Sequence, residues 1–362
     1  MADEPVRKVN IASVDWDDAV ASIEVEDHDR LIDQTTVVLR DHIGAHHDVV
    51  APGQRMKVEL GWKGASSVLF EGTVQRCSST NTGDQREQRV VAYDLSAQMH
   101  VAKPSRAVHG PGKLSEILTT MVNGHGIPVG EISADPDPQF KTLSQGPVTD
   151  LQFIQMLAVR YRARAFVEYN DGKSKFYFIN EQKLARQSAK TRLNCCTGFQ
   201  DVIDFQHERV ASNALPYRVA AVINAADGTV ADQPPPAPTT PTPPAASDER
   251  GRAADAGGMG DAYRNAVEAA IASTADPTIA PQLSAAGLPS DPDLADALSR
   301  PDPTQILGFR ARATVRGNVG LRSKSKVNVT GVSSFIDGDW YVRIARHMVH
   351  DSTYQTALIL TR

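Results

Sequence analysis

The chain has 362 residues, 41% of them hydrophobic, with 43 acidic against 38 basic side chains and a net charge of −5. That length predicts two or three domains, and that composition excludes a chain disordered throughout. The small acidic excess, with both signs interspersed, argues against a dedicated nucleic-acid binder. The three cysteines, Cys77 and the adjacent Cys195 and Cys196, have no CxxC spacing, so reduced thiols are expected rather than a disulfide framework. MADEPVRKVN lacks the apolar core of a signal peptide, and no run reaches the ~20 apolar residues that span a bilayer. The expectation is cytoplasmic synthesis, no signal peptide and no membrane insertion.

Residues 1–100 read as β. Ile23 and Val25 alternate with acids in SIEVED, TTVVLRD follows, and Met56, Val58, Leu60 and Trp62 alternate in MKVELGW. SSVLFEGTVQRC and QRVVAYDLS complete the series. Short strands separated by Gly, Asp and Asn predict a small antiparallel barrel or sandwich. Gly53, in the turn APGQ, suits a positive φ.

Residues 101–190 change character to a compact α+β module. Leu114, Ile117, Leu118, Met121 and Val122 fall on one helix face, which Gly124 or Gly126 can end before Pro128. A second helix begins at TDLQ, with Thr149 and Gln152 placed as a capping box and Leu151, Ile154, Leu157, Ala158 and Tyr161 as its buried stripe. RAFVEYNDGKSKFYFIN reads as a hairpin turning at Asn170-Asp171-Gly172.

β character returns in 191–230, stops at a stretch with seven prolines between 234 and 244, and resumes after about 305. Prolines in that density favour extended, solvated chain. Neither flanking β set has enough strands to stand alone, so 191–230 and 306–362 are expected to form one second barrel, interrupted by a Pro-rich linker and Ala-rich insertion over 231–305. The predicted fold class is mainly β, with two small antiparallel barrels and an α+β insertion module. PGQRMKVELGW and RSKSKVNVTGV each feed a small-residue turn into an alternating strand, which is compatible with two related barrels.

The closing stretch GDWYVRIARHMVHDSTYQTALILTR reads as a hairpin turning at 351–353. Trp340, Val342, Ile344 and Met348 point one way, with Arg346 breaking the set; Tyr341, Arg343, Ala345 and His347 point the other. Side chains three apart on a strand face opposite sides, so His347 and His350 do not share a metal and are expected on the barrel surface. In DHIGAHHDV, His42 and His46 have i,i+4 spacing, with Asp41, His47 and Asp48 beside them. Gly44 weakens a helix there and the glutamate of a zinc-hydrolase motif is missing, so a polar loop is expected. Glu24, Glu26, Asp27, Asp29 and Asp33 lack the spacing of a calcium loop and read as a solvated strand end. GHGIPVG and HGPGK match neither phosphate-loop nor dinucleotide fingerprints, no GxSxG elbow is present, and no histidine is placed beside Cys195 and Cys196. The expectation is no catalytic residue, no metal and no cofactor.

Gly338, Trp340, Val342, His347, Tyr354, Thr356, Leu358, Leu360 and Arg362 resemble the closing pattern of the phage late control D family, the baseplate hub proteins of contractile tails. The hub part of VgrG in type VI secretion and extracellular injection systems is similar. GQRMKVELGW with LFEGTVQ resembles that family's first barrel, and GKLSEILTTMVNGHGI with TDLQFIQMLAVRYRARAFVEYNDGKSKFYF its middle module. FRARATVRGNVGLRSKSKVNVTGV resembles a later strand, with Val319 and Ser323 where the family has prolines. The resemblance covers about three-quarters of the chain and excludes 231–300. It implies a structural, non-enzymatic homotrimer whose two barrels per chain adapt a six-fold inner tube to a separate three-fold spike, alongside baseplate proteins. The alternative is a tail-associated peptidoglycan hydrolase or peptidase on the same scaffold, which calls for an added catalytic domain.

Overall fold

The structure, a computed structural model, describes residues 4–40, 49–82, 85–100, 107–196, 201–209, 221–223, 230–232, 302–305 and 307–362. The N-terminal strands are β1 (Pro5–Ile11), β2 (Val14–Asp15), β3 (Val20–His28), β4 (Gln34–Arg40), β5 (Arg55–Trp62), β6 (Ala65–Thr82) and β7 (Gln85–Asp94). Their period-2 alternation turns Val9, Ile23, Val25, Val37, Leu39, Met56, Val58, Leu60 and Val90 into one apolar core. Gly53 takes φ +93° in the turn before β5.

The next stretch holds β8 (Ala107–His109), β9 (Gly112–Lys113), α1 (Leu114–Asn123), β10 (Val129–Ser133), β11 (Gln139–Phe140) and β12 (Leu143–Gln145). It continues with α2 (Asp150–Arg160), β13 (Ala163–Asn170), β14 (Lys173–Asn180) and α3 (Glu181–Ala185). Thr149 Oγ1 accepts from the Gln152 N–H at 3.2 Å while Gln152 Oε1 accepts from the Thr149 N–H at 3.0 Å, so the capping box forms. Asp171 and Gly172, at φ +50° and +83°, make the hairpin turn between β13 and β14. The predicted stripes of α1 and α2 meet Phe176 and Phe178 of β14 in a second core.

The remaining strands are β15 (Thr191–Asn194), β16 (Val202–Arg209), β17 (Ala221–Ile223), β18 (Val230–Asp232), β19 (Phe309–Arg316), β20 (Lys326–Thr330), β21 (Gly338–His350) and β22 (Thr353–Thr361). β16 pairs with β19 and β15 with β20, so strands on both sides of the proline-rich stretch share one sheet. Leu193, Phe309, Val315, Val327, Trp340 and Leu358 form a third core. β17 and β18 pair with each other and with no other described strand.

The N-terminal strands and, except for β17 and β18, the C-terminal ones belong to one curled, mostly antiparallel sheet of 13 strands, ordered β16-β19-β22-β21-β3-β4-β7-β6-β5-β1-β2, with β20 and β15 branching from β21; β10, β14 and β13 form a separate three-stranded sheet. The protein is mainly β, with a small α+β part. The closing hairpin joins its two ends. A bulge at Arg343, between Val342 and Ile344, shifts the register against β22. One extra residue reverses the sense of every side chain beyond it. Trp340 and Val342 therefore face the third core, but past the bulge Ala345, His347 and Val349 are the buried residues, not Ile344 and Met348. Val349 and Tyr354, at the hairpin tip, enter the first core. One hairpin thus serves both.

Candidate functional site

The run EVEDHDRLID is not a solvated strand end. Asp27, Asp29 and Asp33 are 1%, 5% and 6% exposed, at the place where β3, the loop before β20 and the α+β part meet. Burying a carboxylate is costly unless a cation and further donors replace its water. Asp27 and Asp33 have both, whereas Asp29 has two guanidiniums nearby but no hydrogen-bond donor on its Oδ2.

Asp27 is enclosed from the far end of the sequence. It accepts from Arg322 Nε at 2.7 Å, Lys324 Nζ at 2.5 Å, the Ser323 N–H at 3.1 Å and the Ser323 hydroxyl. Lys324 also donates to the His28 carbonyl at 3.0 Å, lies 3.6 Å from the Asp33 carboxylate and stands over the Phe166 ring. Its backbone is left-handed, at φ +61°, a conformation a lysine keeps only where its surroundings hold it. Arg322 reaches Glu168 of β13 at 3.5 Å, tying in the α+β part.

Burial would raise the Asp27 carboxyl, but Lys324 and Arg322 outweigh it and hold the group far below the usual carboxylate range. Burial would likewise lower both cations, and Asp27 outweighs it. Asp33 is pushed well up by burial, against Lys324, with Asp27 and Asp94 adding to the rise. Asp94, which accepts the Asp33 N–H at 2.7 Å, is pushed up to about 6 by burial despite its bond to Ser96.

A second knot surrounds Arg164 of β13. Its guanidinium pairs with Glu181 of α3, with Asp302 at 3.1 Å and with Asp29 at 3.5 Å. Asp29 is also 3.5 Å from Arg343, and Asp302 is 2.8 Å from Arg30. Together the knots bind the start, middle and end of the chain. Their charges are paired with one another, a chemistry suited to holding bodies together.

His347 is fully buried rather than on the surface. Its Nε2 donates to the Leu321 carbonyl at 3.0 Å and its Nδ1 accepts from the Tyr354 hydroxyl at 2.9 Å, the tautomer that those partners require. Burial, with Arg322 nearby, lowers it to about 4. His350 lies on the opposite side, exposed beside Asp351. Cys195 packs on the third core, where burial raises its thiol, the reverse of an activated nucleophile; Cys196 is exposed. Asp41, His42, His46, His47 and Asp48 lie outside the described residues. Among the described residues no three His, Cys, Asp or Glu side chains converge as a metal site, and no helix is long and apolar enough to cross a membrane.

Arg322, Lys324, Arg164, Glu181 and Asp302 were not singled out by the sequence. The one signal pointing to them is the density of acids within an otherwise apolar strand pattern, which requires cations from elsewhere if the strand is buried.

The sequence matches no protein-family model and no curated protein. Its fold does match solved structures. The 43 kDa tail protein of prophage MuSo2 from Shewanella oneidensis aligns over 98% of this chain and 97% of its own, with a TM-score of 0.62 and 11% identity. A tail protein from Neisseria meningitidis MC58 aligns over 99% and 96%, at 0.60 and 14%. An E. coli protein described as a component of the type VI secretion system, with structural similarity to the T4 bacteriophage tail proteins gp27 and gp5, aligns over 94% and 73%, at 0.58 and 9%. The chain has the fold of these tail proteins.

Proposed function

We propose that the chain is a structural subunit of a contractile phage tail or a related injection particle. In this reading it is a homotrimeric baseplate hub adapting a six-fold inner tube to a separate three-fold spike, with baseplate proteins around it. The observation that carries the reading is the end-to-end fold match to tail proteins over nearly the whole of both chains. The buried ion knots support it, because they tie the body together where its parts meet.

Residues 1–100 would form one hub barrel, 191–230 with 306–362 the second, and 101–190 the module between them, with 231–305 inserted into the second. Two similar β units in each chain let three chains present six positions from a single gene product. The chain acts by shape and does not turn over a substrate. Light scattering on the purified protein at micromolar concentration is the test. A mass about three times the 39.1 kDa chain is expected, and a stable monomer contradicts the reading.

A further inference from the structure

The knot around Arg164 is left open at one point. Arg164 gives its two terminal nitrogens to Glu181 and Asp302, but its Nε, also buried, makes no hydrogen bond among the described residues. Beside it stands Asp29, whose Oδ2 lies 3.5 Å from Arg164 Nε and 3.5 Å from Arg343 Nε. Both separations exceed the range of about 2.7–3.2 Å for an N–H···O bond. Oδ2 has no other donor among the described residues.

A third buried group stands unpaired here. The Tyr341 hydroxyl has no partner among the described residues, although a buried phenol ordinarily finds one. Two contacts bring Tyr341 to this place. Two residues along β21, the Arg343 carbonyl accepts from the Asp29 N–H at 2.9 Å. The Tyr341 ring packs with Ile179 and Leu184, and Ile179 of β14 is the cross-strand neighbour of Arg164. Burial lifts the phenol above its usual range, and of the charges around it Asp29 and Arg164 act most strongly.

Asp29, Arg164 and Tyr341 are 5%, 5% and 2% exposed, so bulk solvent does not pair these atoms. A buried polar atom without a partner is destabilising, more so on a charged group, and three at one spot call for a common partner. That partner must accept from Arg164 Nε and donate to Asp29 Oδ2, while the Tyr341 hydroxyl can do either. An anion cannot donate to the carboxylate and is repelled by it. A bare cation cannot accept from the guanidinium and is repelled in turn. Water does both, and three polar neighbours are usual for a buried water.

We propose that one ordered water molecule is bound between Asp29 Oδ2, Arg164 Nε and the Tyr341 hydroxyl. It accepts from Arg164 and from the Tyr341 O–H and donates to Asp29. The site joins the loop after β3, the first strand of the β13–β14 hairpin and the closing hairpin, so the α+β part is attached to the large sheet through water as well as through direct ion pairs. It goes beyond the assembly proposed above and does not depend on it.

X-ray diffraction from crystals of the full chain, at a resolution that shows ordered water, tests this. A single density peak within about 2.6–3.2 Å of all three atoms is expected. Soaks in bromide and in rubidium are expected to give no anomalous signal at that peak, and a signal from either overturns the proposal in favour of an ion. Absence of a peak also overturns it, as does a direct bond between Arg164 Nε and Asp29 Oδ2. Tyr341→Phe, which removes the hydroxyl and keeps the ring, gives a second measurement in solution. The shift it causes in the urea midpoint is expected to shrink by about half or more in an Asp29→Asn background, because the two groups share one water. An undiminished shift overturns the proposal.

Discussion

Lys324 donates to the Asp27 carboxylate at 2.5 Å across 297 positions of sequence. The contact ties the third strand of the N-terminal sheet to the loop that enters the final strands, and Arg322 extends it to Glu168 in the α+β part. A buried pair adds little net stability by itself, but removing one member strands the other's charge away from water.

Asp27→Asn is therefore expected to cost about 3–5 kcal/mol, since Lys324 and Arg322 lose their shared counter-charge. Lys324→Met is expected to cost a comparable amount. The double change should cost less than the sum of the two, with a coupling of about 1–3 kcal/mol. Urea denaturation of the four proteins at pH 7 measures this, and strict additivity would contradict the pairing.

His347 predicts a pH dependence. Its folded value of about 4 lies below its ordinary 6.5, so between those values the unfolded chain binds a proton that the folded one refuses. Stability from this group is thus full above 6.5 and is lost as pH falls toward 4, by about 3 kcal/mol. Asp94 has the opposite sign: with a folded value of about 6 against 3.8, its contribution is present near pH 4 and is lost as pH rises past 6. A comparison that removes only the histidine separates the two. His347→Asn should be less stable than wild type at pH 7, with the gap narrowing by pH 4.5. A gap that stays constant over that range contradicts a buried neutral imidazole.

Gly317 is where the closing hairpin presses on the N-terminal sheet. A Cβ there would lie 2.1 Å from Tyr354 Cγ, and the Gly317 carbonyl accepts from Trp62 Nε1 at 2.7 Å. Gly317→Ala is expected to cost about 3 kcal/mol by overpacking and to make Trp62 more accessible to a fluorescence quencher. Gly146→Ala, where a Cβ meets nothing within 4 Å, is the control and should change stability by less than about 1 kcal/mol. Similar behaviour of the two would contradict the close approach.

Arg164→Lys keeps the charge but loses the planar fork that reaches Glu181, Asp302 and Asp29 together. Hydrogen exchange is expected to quicken at least tenfold in β13 and α3 while β4 and β7 are unchanged. A uniform change along the chain would mean that the knot does not hold the α+β part in place.

The β class, both helices, the capping box and the hairpin turns were legible because each depends on neighbouring residues: periodicity, a cap or a turn dipeptide. The likeness between PGQRMKVELGW and RSKSKVNVTGV was also a local signal, and the segments supply β5 and β20, which pair with the long strands β6 and β21. The fates of Asp27, Asp29 and Asp33 were not legible. Their burial depends on cations up to about three hundred residues away, and an acid run alone looks the same solvated or enclosed. The bulge at Arg343 was missed for a related reason. Its neighbours alternate well enough to hide one extra residue, yet that residue sends His347 inward to Tyr354.

The most direct measurement is electron microscopy of the purified protein viewed along its axis, with rotational analysis of the averaged images. Rings with true three-fold symmetry, a strong six-fold component and six similar lobes are expected from three chains that each carry two equivalent β units. Monomeric particles, two-fold dimers, or three-fold rings with only three lobes would contradict the proposed hub.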